Sequence, residues 1–142
     1  MRRRSRFLPA WSLPLALALG LAVLAARALP LRWLAPVLGR AAGTAPWVPL
    51  LAPAQEARAR QVGRAVQRVA RRLPFTAACL PQALAARWLL GLYRVPCTLS
   101  LGLARTPAGL VAHAWVSAGR VRVTGGEGFG RFAVVGSFVA GA

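Results

Sequence analysis

Cys79-Leu80-Pro81-Gln82-Ala83-Leu84-Ala85-Ala86-Arg87-Trp88-Leu89-Leu90 reads as a helix with a thiol at its first position. Pro74-Phe75-Thr76-Ala77-Ala78 breaks whatever precedes it, and Pro81 falls in the first turn, where a missing N–H costs little. The helix is predicted to run to about Tyr93 and to end at Arg94-Val95-Pro96, with Leu84, Trp88, Leu89 and Leu92 as an apolar stripe turned to the core. At a helix start the unpaired backbone N–H groups carry partial positive charge, which supports an anionic sulfur and can hold an oxyanion. Cys79 is therefore a candidate nucleophile; the competing role is that of a small buried hydrophobe, as for most free cysteines.

Downstream the periodicity changes from helical to alternating. Val95, Cys97, Leu99, Leu101 and Leu103 alternate with Thr98, Ser100, Gly102 and Ala104, so a strand follows the helix and Cys97 lies on its large-apolar face. Cys97 is assigned to core packing and Cys79 to chemistry; a Cys79–Cys97 disulfide is the alternative, requiring close Cα atoms and an oxidising compartment. A second strand is expected at about Leu110–Ser117, with Val111, His113 and Trp115 on one face and Ala112, Ala114 and Val116 on the other. An Ala118-Gly119 hairpin loop would pair Ser117 with Arg120, Trp115 with Arg122 and His113 with Thr124. A partner that orients the single histidine, His113, would then come from about Thr124 to Glu127. Helices followed by antiparallel strands make the class α+β.

Upstream, Val62, Ala65, Val66, Val69, Ala70 and Leu73 recur at helical spacing while Arg58, Arg60, Arg64, Arg68, Arg71 and Arg72 fill the rest. An amphipathic helix over Gln55–Leu73 follows, with an arginine face that is either plain solvated surface or a site for an acidic peptide or anionic membrane. Pro30 to Pro53 reads as a Pro/Gly-rich connection with a small helix near Leu31–Leu38. The chain thus divides into an N-terminal apolar helix and connection, residues 1–53, and a core, residues 54–142, within the size of one domain.

The apolar run from Phe7 to Ala26 follows Arg2, Arg3, Arg4 and Arg6. Pro9 and Pro14 are expected to shorten its helix to about Leu15–Leu29, roughly 22 Å against a bilayer core of about 30 Å. Spanning, interfacial and core-helix readings all stay open, and Arg27 inside Ala26-Arg27-Ala28 argues against a signal cleavage site. A cytoplasmic or membrane-associated location is expected. All 19 basic residues are arginine and only Glu56 and Glu127 oppose them, for a net charge of +17. No zinc-finger, basic-zipper or RNA-binding aromatic signature accompanies this charge, so nucleic acid is not the expected partner. Two cysteines and one histidine at these spacings suggest no metal site.

Ala78-Cys79-Leu80-Pro81-Gln82-Ala83-Leu84-Ala85, Arg94-Val95-Pro96 leading into Leu99-Ser100-Leu101-Gly102, Ala112-His113-Ala114-Trp115-Val116 and Val123-Thr124-Gly125-Gly126-Glu127 together resemble the lasso-peptide leader peptidase, in the form of the stand-alone peptidase half of the split B protein. The resemblance covers about Arg72 to Phe138. It implies a transglutaminase/papain-like α+β core and a cysteine endopeptidase that cuts the leader from a ribosomally made precursor peptide. Cys79 would be nucleophile and His113 base. The family pattern has an aspartate after the histidine; this chain has none, and Glu127, Thr124 or a backbone carbonyl would stand in, Glu127 being the acidic choice. No cofactor is implied, and no nucleotide-binding fingerprint is present. A separate leader-recognition protein and an ATP-dependent lasso cyclase would act with it. A transglutaminase-like acyl transferase and a non-catalytic, membrane-associated assembly protein of the same fold are the alternatives.

Overall fold

The computed structural model describes residues 7–28, 40–43, 50–72, 79–126 and 132–140. Among these residues three helices, α1 (Phe7–Ala28), α2 (Pro53–Arg72) and α3 (Cys79–Leu92), accompany five strands, β1 (Arg40–Gly43), β2 (Cys97–Thr106), β3 (Gly109–Ala118), β4 (Val121–Thr124) and β5 (Ala133–Ala140). The strands form one antiparallel sheet in the order β1-β5-β2-β3-β4. The class is α+β, as the change from helical to alternating periodicity requires.

The arginine-rich helix α2 buries Ala59, Val62, Gly63, Ala65, Val66 and Val69, nearly the face read from its spacing. Leu73 lies outside the described residues. Gly63 sits directly on β4: a Cβ there would meet the Val123 carbonyl oxygen at 2.8 Å. Glu56, in the first turn of α2, accepts from Arg120 in the β3–β4 turn at 3.3 and 3.4 Å and pairs with Arg60 one turn on.

Helix α3 corrects the expected stripe. Its buried residues are Pro81, Ala83, Ala85, Ala86, Leu89 and Leu90, whereas Trp88 and Leu92 are exposed. The helix packs on β3 and β4 as well as on α1 and α2, and three of its six buried residues are alanines, while the bulk of Trp88 and Leu92 is turned outward. The helix ends where predicted, with the Val95 N–H donating to Leu90 O (3.0 Å) and the Arg94 N–H to Gly91 O (3.1 Å). This is a Schellman cap in which Arg94, at φ 55°, occupies the left-handed position usually given to glycine.

Helix α1 is longer at its start than the prolines suggested. Pro9 falls in its first turn, where a backbone N–H would have no helical partner and its absence costs little, and Pro14 is accommodated inside. Leu15, Leu19 and Val23 join one core with α2 and α3, and α1 packs on those helices rather than on the sheet. The layers are therefore sheet, α2 with α3, then α1. Among the described residues no helix is long and apolar enough to cross a membrane. The stretch of α1 with described side chains, 13–25, is about 20 Å long.

Two strands escaped the sequence reading. Arg40–Gly43 lies in the stretch read as turns and connections, and it forms the edge strand β1 on β5. β5 itself inserts beside β2, from Cys97↔Ala140 to Leu103↔Ala133. The expected small helix near Leu31–Leu38 lies outside the described residues. The β3–β4 register also differs from expectation. Ala118 pairs with Val121, Ser117 with Arg122 and Val116 with Thr124, around a Gly119-Arg120 loop. A bulge between Val116 and Ser117 takes up the extra residue, and there the Val116 N–H donates to the Thr124 hydroxyl.

Candidate active site

Cys79 is the first residue of α3 and is half-buried, its side chain resting against the helix-side core. Cys97 opens β2 and is 1% exposed. Burial pushes the Cys97 thiol up from 9.0 to about 11, an effect the Arg87 guanidinium partly opposes. That sulfur stays protonated at neutral pH, which suits a packing residue and not a nucleophile. Both cysteines are free thiols. They stand at opposite ends of a 14-residue helix, about 20 Å of axis, far beyond the roughly 7 Å Cα limit of a disulfide.

His113 lies on β3, whose two faces have different surroundings. Ala114, Val116 and Ala118 face the helices, while Trp115 is buried outside that cluster, on the face it shares with His113. The imidazole stacks on Phe132 at 4.8 Å and on Trp115 at 5.9 Å between centroids. Gly102, opposite His113 on β2, makes room for this cluster, since a Cβ there would meet the Trp115 ring and Phe132 Cβ within 2.8 Å.

His113 Nε2 lies 2.7 Å from the carbonyl oxygen of Gly125. A carbonyl only accepts, so Nε2 carries the proton, and in the neutral ring Nδ1 is left with its lone pair. The described hydrogen-bond partner of the ring is thus a backbone carbonyl, that of Gly125. The Thr124 hydroxyl is engaged by the Val116 N–H, and Glu127 lies outside the described residues. Gly125 can present its carbonyl because it has φ +81° and no side chain: a Cβ there would strike Trp115 Cβ and come within 2.8 Å of Ala114 O. Sequence patterns carry no mark for such an acceptor, although the Gly125-Gly126 pair flags the turn that supplies it.

No hydrogen bond joins the Cys79 sulfur to His113 among the described residues. The two residues bracket the sheet, with the thiol on the helix side and the ring on the side of Trp115. Among the described residues no three His, Cys, Asp or Glu side chains gather to hold a metal ion.

A helix opening on cysteine, an antiparallel sheet carrying histidine on its third strand, and a match of residues 21–137 to the Transglutaminase-like superfamily coincide in one chain. The chain belongs to the transglutaminase-like superfamily. Cysteine peptidases and acyl transferases are among the proteins of this superfamily. No curated protein and no solved structure matches the chain significantly. As a transglutaminase-like protein it places α1 within the matched region from residue 21 onward, and the superfamily core extends into β5.

Proposed function

We propose that this protein is a cysteine endopeptidase that removes the leader from a ribosomally made precursor peptide, in the manner of the lasso-peptide leader peptidases its motifs resemble. The observation that carries the proposal is the His113 Nε2–Gly125 O hydrogen bond, because it fixes the tautomer whose free Nδ1 can act as base. In the proposed reaction Nδ1 takes the Cys79 thiol proton and the sulfur attacks the scissile carbonyl. N–H groups at the start of α3 hold the oxyanion. The imidazolium returns its proton to the departing amine, and water then hydrolyses the thioester and regenerates the thiol. Glu127 would serve as an acidic third member beside the Gly125 carbonyl. The exposed Arg60, Arg64 and Arg68 of α2 offer an acidic leader a cationic face. A separate leader-recognition protein and an ATP-dependent cyclase would complete the maturation system.

Chain lengths are compatible with the start of α3 lying at the same end of the sheet as His113, the thiol and the ring on its two faces. Only Tyr93–Pro96 separate α3 from β2, so the strand turns back along the helix. The helix's roughly 20 Å equals about six strand residues. If the helix runs straight back along the strand, the Cys79 end of α3 would reach about the level of Leu103 and its register partner Ala112, next to His113.

The missing direct Cys79–His113 contact favours a second reading, a non-catalytic assembly protein of the same fold. The test is mass spectrometry of precursor peptide incubated with the protein and its recognition partner. Cys79→Ala and His113→Ala are each expected to lower cleavage by at least about a thousandfold. Full cleavage by Cys79→Ala would end the peptidase proposal, and capture of an added amine instead of water would assign acyl transfer.

A further inference from the structure

The outer face of α1 has no use in the proposed chemistry. Leu15, Leu19 and Val23 point inward, and at 100° per residue Leu13, Leu17, Leu21 and Leu24 fall on the opposite side of the helix. These four leucines are 70%, 62%, 68% and 65% exposed. The ridge continues onto α3 through Trp88, 41% exposed, and between the two helices runs an open apolar groove of about 680 Å³. Leu17 and Leu21 form one wall of that groove, and Leu84 and Trp88 the other, with Arg87 at its border. Isolated exposed leucines need no explanation, whereas four in a row beside an apolar groove make a contiguous surface for a partner.

We infer that this ridge is a docking surface for an anionic lipid bilayer, with α1 lying in the plane of the interface. Charge selects the occupant. Arg2, Arg3, Arg4 and Arg6 precede α1, Arg27 stands in its last turn, and no acidic residue occurs before Glu56. The whole chain carries +17. An apolar ridge on a helix whose sequence is preceded by four arginines and holds a fifth in its last turn matches acyl chains beneath anionic headgroups. A second copy of this chain would bring like charges of +17 together and is disfavoured on that ground. The layer order agrees: α1 is the outermost element, its inner face held by α2 and α3, so the domain occupies the place of the polar face of an interfacial helix. Trp88 at the edge of the ridge suits the headgroup level. The inference is independent of the peptidase reading.

Co-sedimentation of the full chain with phosphatidylglycerol-containing vesicles and with pure phosphatidylcholine vesicles tests it. Strong partitioning to the anionic vesicles is expected, with weaker binding to the neutral ones. The double variant Leu17→Asn/Leu21→Asn should lower the partition coefficient about tenfold or more while leaving the circular dichroism melt unchanged, since both side chains already face solvent. Leu13→Asn/Leu24→Asn is a second pair on the same ridge and should act alike. Wild-type binding that both pairs leave intact would make charge alone responsible and overturn the inference. So would a wild-type chain that ignores anionic vesicles but forms a dimer that the leucine substitutions dissolve.

Discussion

Replacing Cys97 by alanine is expected to cost stability at neutral pH, and the difference from wild type is expected to shrink by most or all of that cost in alkali. The loss at neutral pH is about 1–3 kcal/mol, the range for a small truncation in a filled core. The narrowing follows from the buried thiol, raised from 9.0 to about 11 in the folded protein. Below pH 9 both folded and unfolded chains keep the proton, and the thiol contributes nothing pH-dependent. Between 9 and 11 the unfolded chain releases it and the folded chain retains it, so the unfolded state binds fewer protons and stability falls as pH rises. At about 1.4 kcal/mol per pKa unit the full loss is roughly 2–3 kcal/mol, complete once the folded thiol itself ionises. This chain suits the measurement because it has no lysine and its arginines stay charged throughout. Urea unfolding at pH 7.5, 9, 10 and 11 should show the wild-type and Cys97→Ala stabilities converging by that amount. Parallel curves would refute the assignment of Cys97 to a dry core position.

Three further substitutions test the packing around the candidate site. Gly63→Ala should destabilise by about 1–3 kcal/mol in urea unfolding, because the Val123 carbonyl cannot retreat and outweighs the gain of about 1 kcal/mol in helix propensity. Gly125→Ala should cost more than about 2 kcal/mol, combining a forced φ of +81° with collision against Trp115. It should also slow any His113-dependent reaction by moving the acceptor of Nε2, whereas normal stability and activity would remove Gly125 from its orienting role. Arg94→Gly should raise stability by about 0.5–1 kcal/mol, since relief of the left-handed strain at the α3 cap exceeds the added unfolded-state entropy. A lowered melting temperature would contradict the cap assignment.

How far the sequence could be read depended on the range of the interactions involved. Helix α2 declared its buried face through spacing alone, because Val62, Val66 and Val69 answer to helical geometry whatever they pack against. The start of α3 at Cys79 and its end at Arg94 are likewise local, set by proline and by capping. The alternation in β2 and β3 separated His113 and Trp115 from Ala114 and Val116 before any fold was known. It could not say which face the helices would cover. That was settled by the packing of α3 on β3 and β4, in which alanines are buried and Trp88 faces outward against the expectation from hydrophobicity.

Strand β1 has four residues, too few to show a period, and exists because β5 offers it an edge. The β3–β4 register rests on a bulge closed by a threonine hydroxyl, and a one-residue slip leaves no trace in composition. The same holds at the candidate site. The residue types alone determined that a thiol would open a helix and an imidazole would sit on a strand. Only the tertiary structure decided that the imidazole is held by the Gly125 carbonyl, because every residue carries a backbone acceptor and only the folded path of the chain selects one of them.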